Sequence, residues 1–224
     1  MFYPDTLHAM PNSTLKGSSS QTDARRYVAF VGMRRVGEGL ITTIARAAKR
    51  ADAGAKAGPL LIFDVVTSEP LELDLRGSES EILARLEEAM AAARGSAEGA
   101  DDADETSRGP GRPRLGVVGR EVTLLPRHWE WLNAQPGGAS AAIRRVVDLA
   151  RTANAGRDRR RRAQEYAYRF LVAMLGDEPG FEEATRALFA NDAARFTELS
   201  EPWPADPRDH ARRLAAPAWA VTDS

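Results

Sequence analysis

The side chains that can do chemistry in this sequence are arginines, and they crowd into its middle. Residues 1–105 carry a net charge of −5, residues 106–170 of +9, and residues 171–224 of −5, so a total of −1 conceals a basic segment between acidic flanks. Lysine occurs only at 16, 49 and 56. A compositional bias explains arginine in place of lysine. It does not explain the clustering of Arg108, Arg112, Arg114 and Arg120, or of Arg157 and Arg159-Arg160-Arg161-Arg162. Concentrated guanidinium groups bind polyanions by releasing condensed counterions, which requires no base reading.

Other chemistries find little to work with. The absence of cysteine removes disulfides, thiolate metal sites and a Cys nucleophile. His8, His128 and His210 are too scattered for a His-rich metal cage, so no metal or cofactor is expected. Asp64 and Asp74 are two acids near one strand end, a position usually filled by solvated or capping carboxylates. Gly32, Gly37 and Gly39 match neither dinucleotide nor P-loop spacing, and no nucleophile is paired with a base. No catalytic residue is assigned. No apolar run reaches the ~18 residues that span a bilayer, and the polar first residues lack a signal-type core, so a cytoplasmic protein is expected.

The elements that must position these groups follow from periodicity. Residues 1–24 read as a disordered tail. Tyr27–Val31 reads as a strand, 39–50 as a helix and Leu60–Val66 as a second strand. Leu71, Leu73 and Leu75 alternate with acids, which predicts a third strand in a hairpin with the second. Ser78-Glu79-Ser80-Glu81 is a capping box that opens a helix to about Arg94. A small α/β module is therefore expected over 25–94. Residues 95–111, with Asp101, Asp102, Asp104 and Glu105, read as a disordered linker.

Residues 112–156 form the next unit. Val122-Thr123-Leu124-Leu125 favours a strand, and Pro126 starts a helix with Leu125, Trp129 and Leu132 on one face. Pro136-Gly137-Gly138 stops it, and Ser140 can cap a second helix striped by Ile143, Val146, Val147 and Ala150. Residues 157–216 are expected to be helical: Phe170, Leu171 and Met174, then Phe181, Ala184 and Leu188, then Phe196 and Leu199 lie at core spacing. Residues 217–224 are a tail. The fold class is α+β.

Over 117–151 this strand-helix-helix order resembles the ribbon-helix-helix family of DNA-binding proteins. The resemblance implies a homodimer whose paired strands enter the major groove, with Arg120 and Thr123 able to reach bases. It also implies a phosphate anchor at the amides of Ala139, Ser140 and Ala141, where helix N-termini attract anions. Gly111-Arg112-Pro113-Arg114 resembles the core of the AT-hook, whose arginines lie in narrow A·T-rich minor grooves; Arg108 lies just upstream. Leu61-Ile62-Phe63-Asp64, Asp74-Leu75-Arg76-Gly77-Ser78, Arg120 to Ser140, Pro179 to Phe189 and Trp203 to His210 together resemble an uncharacterised bacterial family, a domain of unknown function, across most of 27–215. That implies a shared fold and brings no activity.

The reading is a dimeric, DNA-binding bacterial regulator contacting DNA through Arg108, Arg112, Arg114, Arg120, Thr123, Ala139, Ser140, Ala141, Arg159 and Arg160. The alternatives are an interaction module with an acidic partner, or an enzyme on a small phosphorylated substrate.

Overall fold

The computed structural model describes residues 25–52, 58–102 and 121–220. Its strands are β1 (Tyr27–Val31), β2 (Arg34–Gly39) and β3 (Leu60–Asp64). Its helices are α1 (Ile41–Asp52), α2 (Glu79–Asp102), α3 (Pro126–Asn133), α4 (Gly138–Leu175), α5 (Phe181–Phe189), α6 (Ala193–Leu199) and α7 (Ala205–Trp219). The architecture is α+β, as expected from the sequence.

The three strands form an antiparallel sheet in the order β2-β1-β3. The hairpin therefore joins β1 and β2, not β3 and the Leu71–Leu75 stretch. Gly32, at φ 55°, supplies the left-handed residue that a two-residue turn needs. The sequence signal for β2 was weak because Arg34-Arg35-Val36-Gly37-Glu38-Gly39 has only one apolar member. Its register shifts opposite Ala29 and Phe30, leaving Val36 as the extra residue of a bulge. Gly37 admits α1 closely: a Cβ there would lie 3.0 Å from the Ala47 Cβ. Beyond β3 the leucine alternation survives as burial, since Leu71 and Leu73 pack partly buried on the sheet. The ladder does not survive. It ends with a bridge at Phe63 and Pro70 and the bond from Leu71 N–H to Ile62 C=O, so no third hairpin strand forms.

The strand period of two divides the core. Tyr27, Ala29 and Ile62 face α1, where Ile44 is fully buried. Val28, Phe30 and Phe63 face the opposite layer, built from Ala167, Phe170, Leu171 and Met174 of α4 and Ala211, Leu214 and Ala215 of α7. Segments read as an N-terminal module and a C-terminal helical segment thus share one apolar cluster. Phe170 is its hub, with ring centroids 5.5 Å from Phe30, 5.3 Å from Phe63 and 4.6 Å from His210. Trp203 closes the far end and donates its indole N–H to the Pro179 carbonyl at 2.9 Å.

The helix ends follow their signals in part. The Ser78 box is made: Glu81 N–H donates to Ser78 Oγ at 3.3 Å, and Ser78 N–H donates to Glu81 Oε2 at 2.7 Å. The bonds that the Ser78 N–H and hydroxyl donate to the carboxylate hold the Glu81 pKa below the usual range. α2 continues past Gly95 to Asp102, into the segment expected as linker.

His210 is 1% exposed, and burial, reinforced by the Arg213 charge, lowers its pKa to about 4. Arg213 has only donors, so its contact with Nδ1 at 3.1 Å makes that nitrogen the acceptor and places the proton on Nε2. Glu38 acts in the opposite sense and Arg35 adds a further lowering.

Two outcomes follow from this core. Phe170→Ala is expected to cost about 3–5 kcal/mol in denaturant unfolding, whereas Val172→Ala, at a position 51% exposed on the same helix, stays within about 0.5 kcal/mol. Equal effects would contradict the assignment of the hub. The His210 pKa is lowered on folding, so its neutral form stabilises fully above the unfolded value near 6.5, and that contribution is lost as pH falls through about 4. Unfolding free energy measured from pH 7 to pH 4 should fall by roughly 3 kcal/mol more in the native chain than in His210→Gln; parallel profiles would contradict the burial of a neutral imidazole.

Candidate nucleic-acid interface

Helix α4 dominates the basic region. It runs 38 residues from Gly138 to Leu175 and contains nine arginines against three acids. Its C-terminal half is held in the core by Ala163, Ala167, Phe170, Leu171 and Met174. Its N-terminal half packs on α3, with Leu132 and Ala142 buried at the contact. Between these anchors, residues 144–153 are exposed throughout.

This length corrects the ribbon-helix-helix expectation at its centre. The second helix does not end near Arg151 but continues through the arginine run into the core. Residues 121–125 form no strand, and among the described residues no backbone N–H of this stretch finds a backbone acceptor. Thr123 is exposed on that extended lead-in. Ser140 is not the cap. The helix begins one turn earlier, with Gly137 at φ 84° as N-cap and no side-chain bond, because Gly137 and Gly138 both adopt left-handed backbone that a serine would resist. Ala139, Ser140 and Ala141 therefore form the first turn. The stripe of Val146, Val147 and Ala150 is exposed rather than packed.

The other expected contacts are distributed as follows. Arg108, Arg112, Arg114 and Arg120 lie outside the described residues. Arg159 is exposed and Arg160 half-buried, both in the middle of α4. At 1.5 Å per residue, Ser140 and Arg159 stand about 28 Å apart along the axis. The structure thus does not gather the expected anchor and the arginine run at one point.

It arranges different arginines instead. Successive residues turn by 100°, so Arg144, Arg151 and Arg162 fall within a narrow sector of α4, with Arg159 beside it. Arg144, Arg151 and Arg162 lie roughly 110° around the helix from the face that carries Ala163, Ala167 and Phe170 into the core, and Arg159 lies nearer to that face. The row spans about 27 Å from Arg144 to Arg162. Arg151 approaches only Asp148, at 3.9 Å between exposed partners, a contact of small worth. Arg159 and Arg162 are exposed and make no ion pair among the described residues. Arg127, on α3, is likewise exposed. A shallow groove of about 450 Å³ lies on another flank of α4, lined by Asn154, Arg157, Asp158, Arg160, Arg161 and Gln164. The seven-residue interval of Arg144 and Arg151 was visible in the sequence, but only with α4 taken as one helix does Arg162 join the row.

The carboxylates considered for catalysis are occupied structurally. Asp64 is 7% exposed, and its Oδ1 accepts from the N–H groups of Val66 and Thr67, both at 2.8 Å. Asp74 pairs with Arg76 through two bonds of 2.9 Å, and this hydrogen bonding holds its carboxyl well below the usual range. His128 is exposed on α3. Among the described residues no helix is long and apolar enough to cross a membrane, and no three His, Asp or Glu side chains converge as metal ligands.

No curated protein and no solved structure matches the chain. A family model described as an uncharacterized protein conserved in bacteria (DUF2239) matches residues 26–215. That match takes in the sheet, the arginine-bearing helix and α7 as far as Ala215. The chain belongs to this bacterial family, DUF2239.

Proposed function

We propose that this protein is a dimeric, DNA-binding protein of regulator type that grips the phosphate backbone through the exposed arginine row of α4. The observation that carries the reading is the row itself: Arg144, Arg151, Arg159 and Arg162 on one side of a rigid helix, with nine arginines against three acids along its length. Guanidinium groups suit phosphate oxygens because they offer planar, paired donors and stay charged. A span of about 27 Å is comparable to most of one turn of duplex DNA. Contacts of this kind position a protein and do not specify sequence. Sequence preference is assigned to Arg112 and Arg114, with Arg108 upstream, through their resemblance to a minor-groove hook. Arg120 and Thr123, and the amides of Ala139, Ser140 and Ala141, would then add contacts on the α3 side.

Binding to short duplexes, followed by fluorescence anisotropy across a salt series, tests the row. Log affinity is expected to fall linearly with log salt. The Arg159→Ala, Arg162→Ala double variant should bind at least tenfold more weakly at low salt, with a slope shallower by about 2. No binding at low salt, or an unchanged slope, would contradict the proposal. Arg112→Ala with Arg114→Ala should lower affinity for A·T-rich duplex more than for G·C-rich duplex; an equal loss on both would remove the hook.

A further inference from the structure

The flank of α4 that bears the shallow groove continues into a second kind of surface. At 100° per residue, Arg157, Arg161 and Tyr168 fall within about 40° of one another, and roughly 110° around the helix from the row of Arg144, Arg151 and Arg162. Gln164 stands between them, half-buried, and its Nε2 donates to the Leu188 carbonyl at 2.9 Å. That bond seats the C-terminal turn of α5 against α4. It brings Phe189 beside Tyr168, with ring centroids 5.5 Å apart in an edge-to-face setting. Groove and ring pair are therefore neighbours, since Gln164 lines the one and holds the backbone that carries the other.

The ring pair is not a core contact. Tyr168 is 40% exposed and Phe189 52%, and neither belongs to an apolar cluster. A single exposed ring needs no explanation. Two in contact, next to a groove with arginines, form a platform open to solvent. The cations of that groove are weakly held. Asp158 is the one acid among the described residues that line it, and it pairs with Arg161 at 3.2 Å between exposed side chains. Arg157 donates to the neutral amide oxygen of Asn154. Glu165, one turn from Tyr168, is paired with Arg169 at 3.4 Å. A phosphate competes readily with such pairs, because exposed ion pairs are worth little.

We propose that this flank of α4 binds single-stranded DNA, with Arg157 and Arg161 on the phosphate backbone and Tyr168 and Phe189 stacked on bases. Guanidinium groups beside exposed aromatic rings are the combination that a single strand requires: the cations track its backbone, and the rings meet bases whose faces are free. A duplex keeps those faces against one another and offers the rings nothing. An acidic peptide would satisfy the arginines and leave the rings without a partner. From Arg157 to Tyr168 the helix rises about 16 Å, the length of about five nucleotides at roughly 3.4 Å each, against single-strand sites of about 4–16 nucleotides. The residues are separate from the row of Arg144, Arg151, Arg159 and Arg162, so the site does not rest on the duplex reading.

Fluorescence anisotropy of the full chain, with a labelled oligothymidylate of about 12 nucleotides and an abasic strand of the same length, separates bases from phosphates. The native chain should bind the oligothymidylate about tenfold more tightly than the abasic strand. Tyr168→Leu with Phe189→Leu keeps apolar bulk at two exposed positions and should bind both strands equally, with duplex affinity unchanged. Tyr168→Phe, which keeps the ring, should retain the preference. Arg157→Gln with Arg161→Gln should weaken both strands alike and make the single-strand salt slope shallower by about 1.4. Equal native affinity for the two strands, as an acidic-peptide or phosphate-only surface requires, would overturn the proposal. So would a base preference that survives in the leucine variant. The preference should persist in the Arg159→Ala, Arg162→Ala variant whatever happens to duplex binding; its loss there would place the strand on the arginine row and overturn this site.

Discussion

The contact between Phe170 and the sheet fixes the rotational setting of the longest helix. Phe170 sits against Phe30, Phe63 and His210 with centroid separations between 4.6 and 5.5 Å. A ring held on three sides cannot rotate about the helix axis without opening a cavity, and cavities in such a core are costly. An α-helix transmits that setting along its length, because each residue adds a fixed 100°. The aromatic cluster therefore decides which side chains face outward some 20–40 Å away. The bearing of the arginine row, roughly 110° around α4 from the face that enters the core, is a consequence.

The bulge in β2 and the close approach at Gly37 serve the same setting from the other side of the sheet. They let α1 seat on Tyr27, Ala29 and Ile62, so that β1 is buried on both faces and its alternate residues are committed to two different cores. Once Val28 and Phe30 are assigned to the α4 side, the positions of Ala167 and Phe170 are constrained. His210 adds a polar group that is neutral in the core, and its ring against Phe30 and Phe170 ties α7 into the same cluster.

Much of this was legible before any coordinates. The strands at 27–31 and 60–64, the Ser78 capping box and the helical core after Ala163 carry strong local signals: β-branched runs, a cap with its return glutamate, and apolar spacing near 3.6. What was not legible has physical causes. β2 is polar because it is an edge strand with partly exposed residues, so alternation could not reveal it. The leucines at 71, 73 and 75 alternate because one side packs on the sheet, and alternation reports burial rather than ladder bonds. The continuity of α4 was masked by Gly156 and by an arginine run, both of which resemble boundaries locally. A long helix anchored by tertiary packing overrides such local costs of about 1 kcal/mol. Ending the helix at Arg151 concealed the arginine row, since it shows only over four or more turns.

The measurement that bears most directly on this account is the distance between two nitroxide labels placed at 144 and 162 of the full chain, on either side of Gly156. The account predicts a single narrow distribution near about 27 Å, the rise of one unbroken helix between those positions. A broad distribution, or a distance well short of that rise, would contradict it.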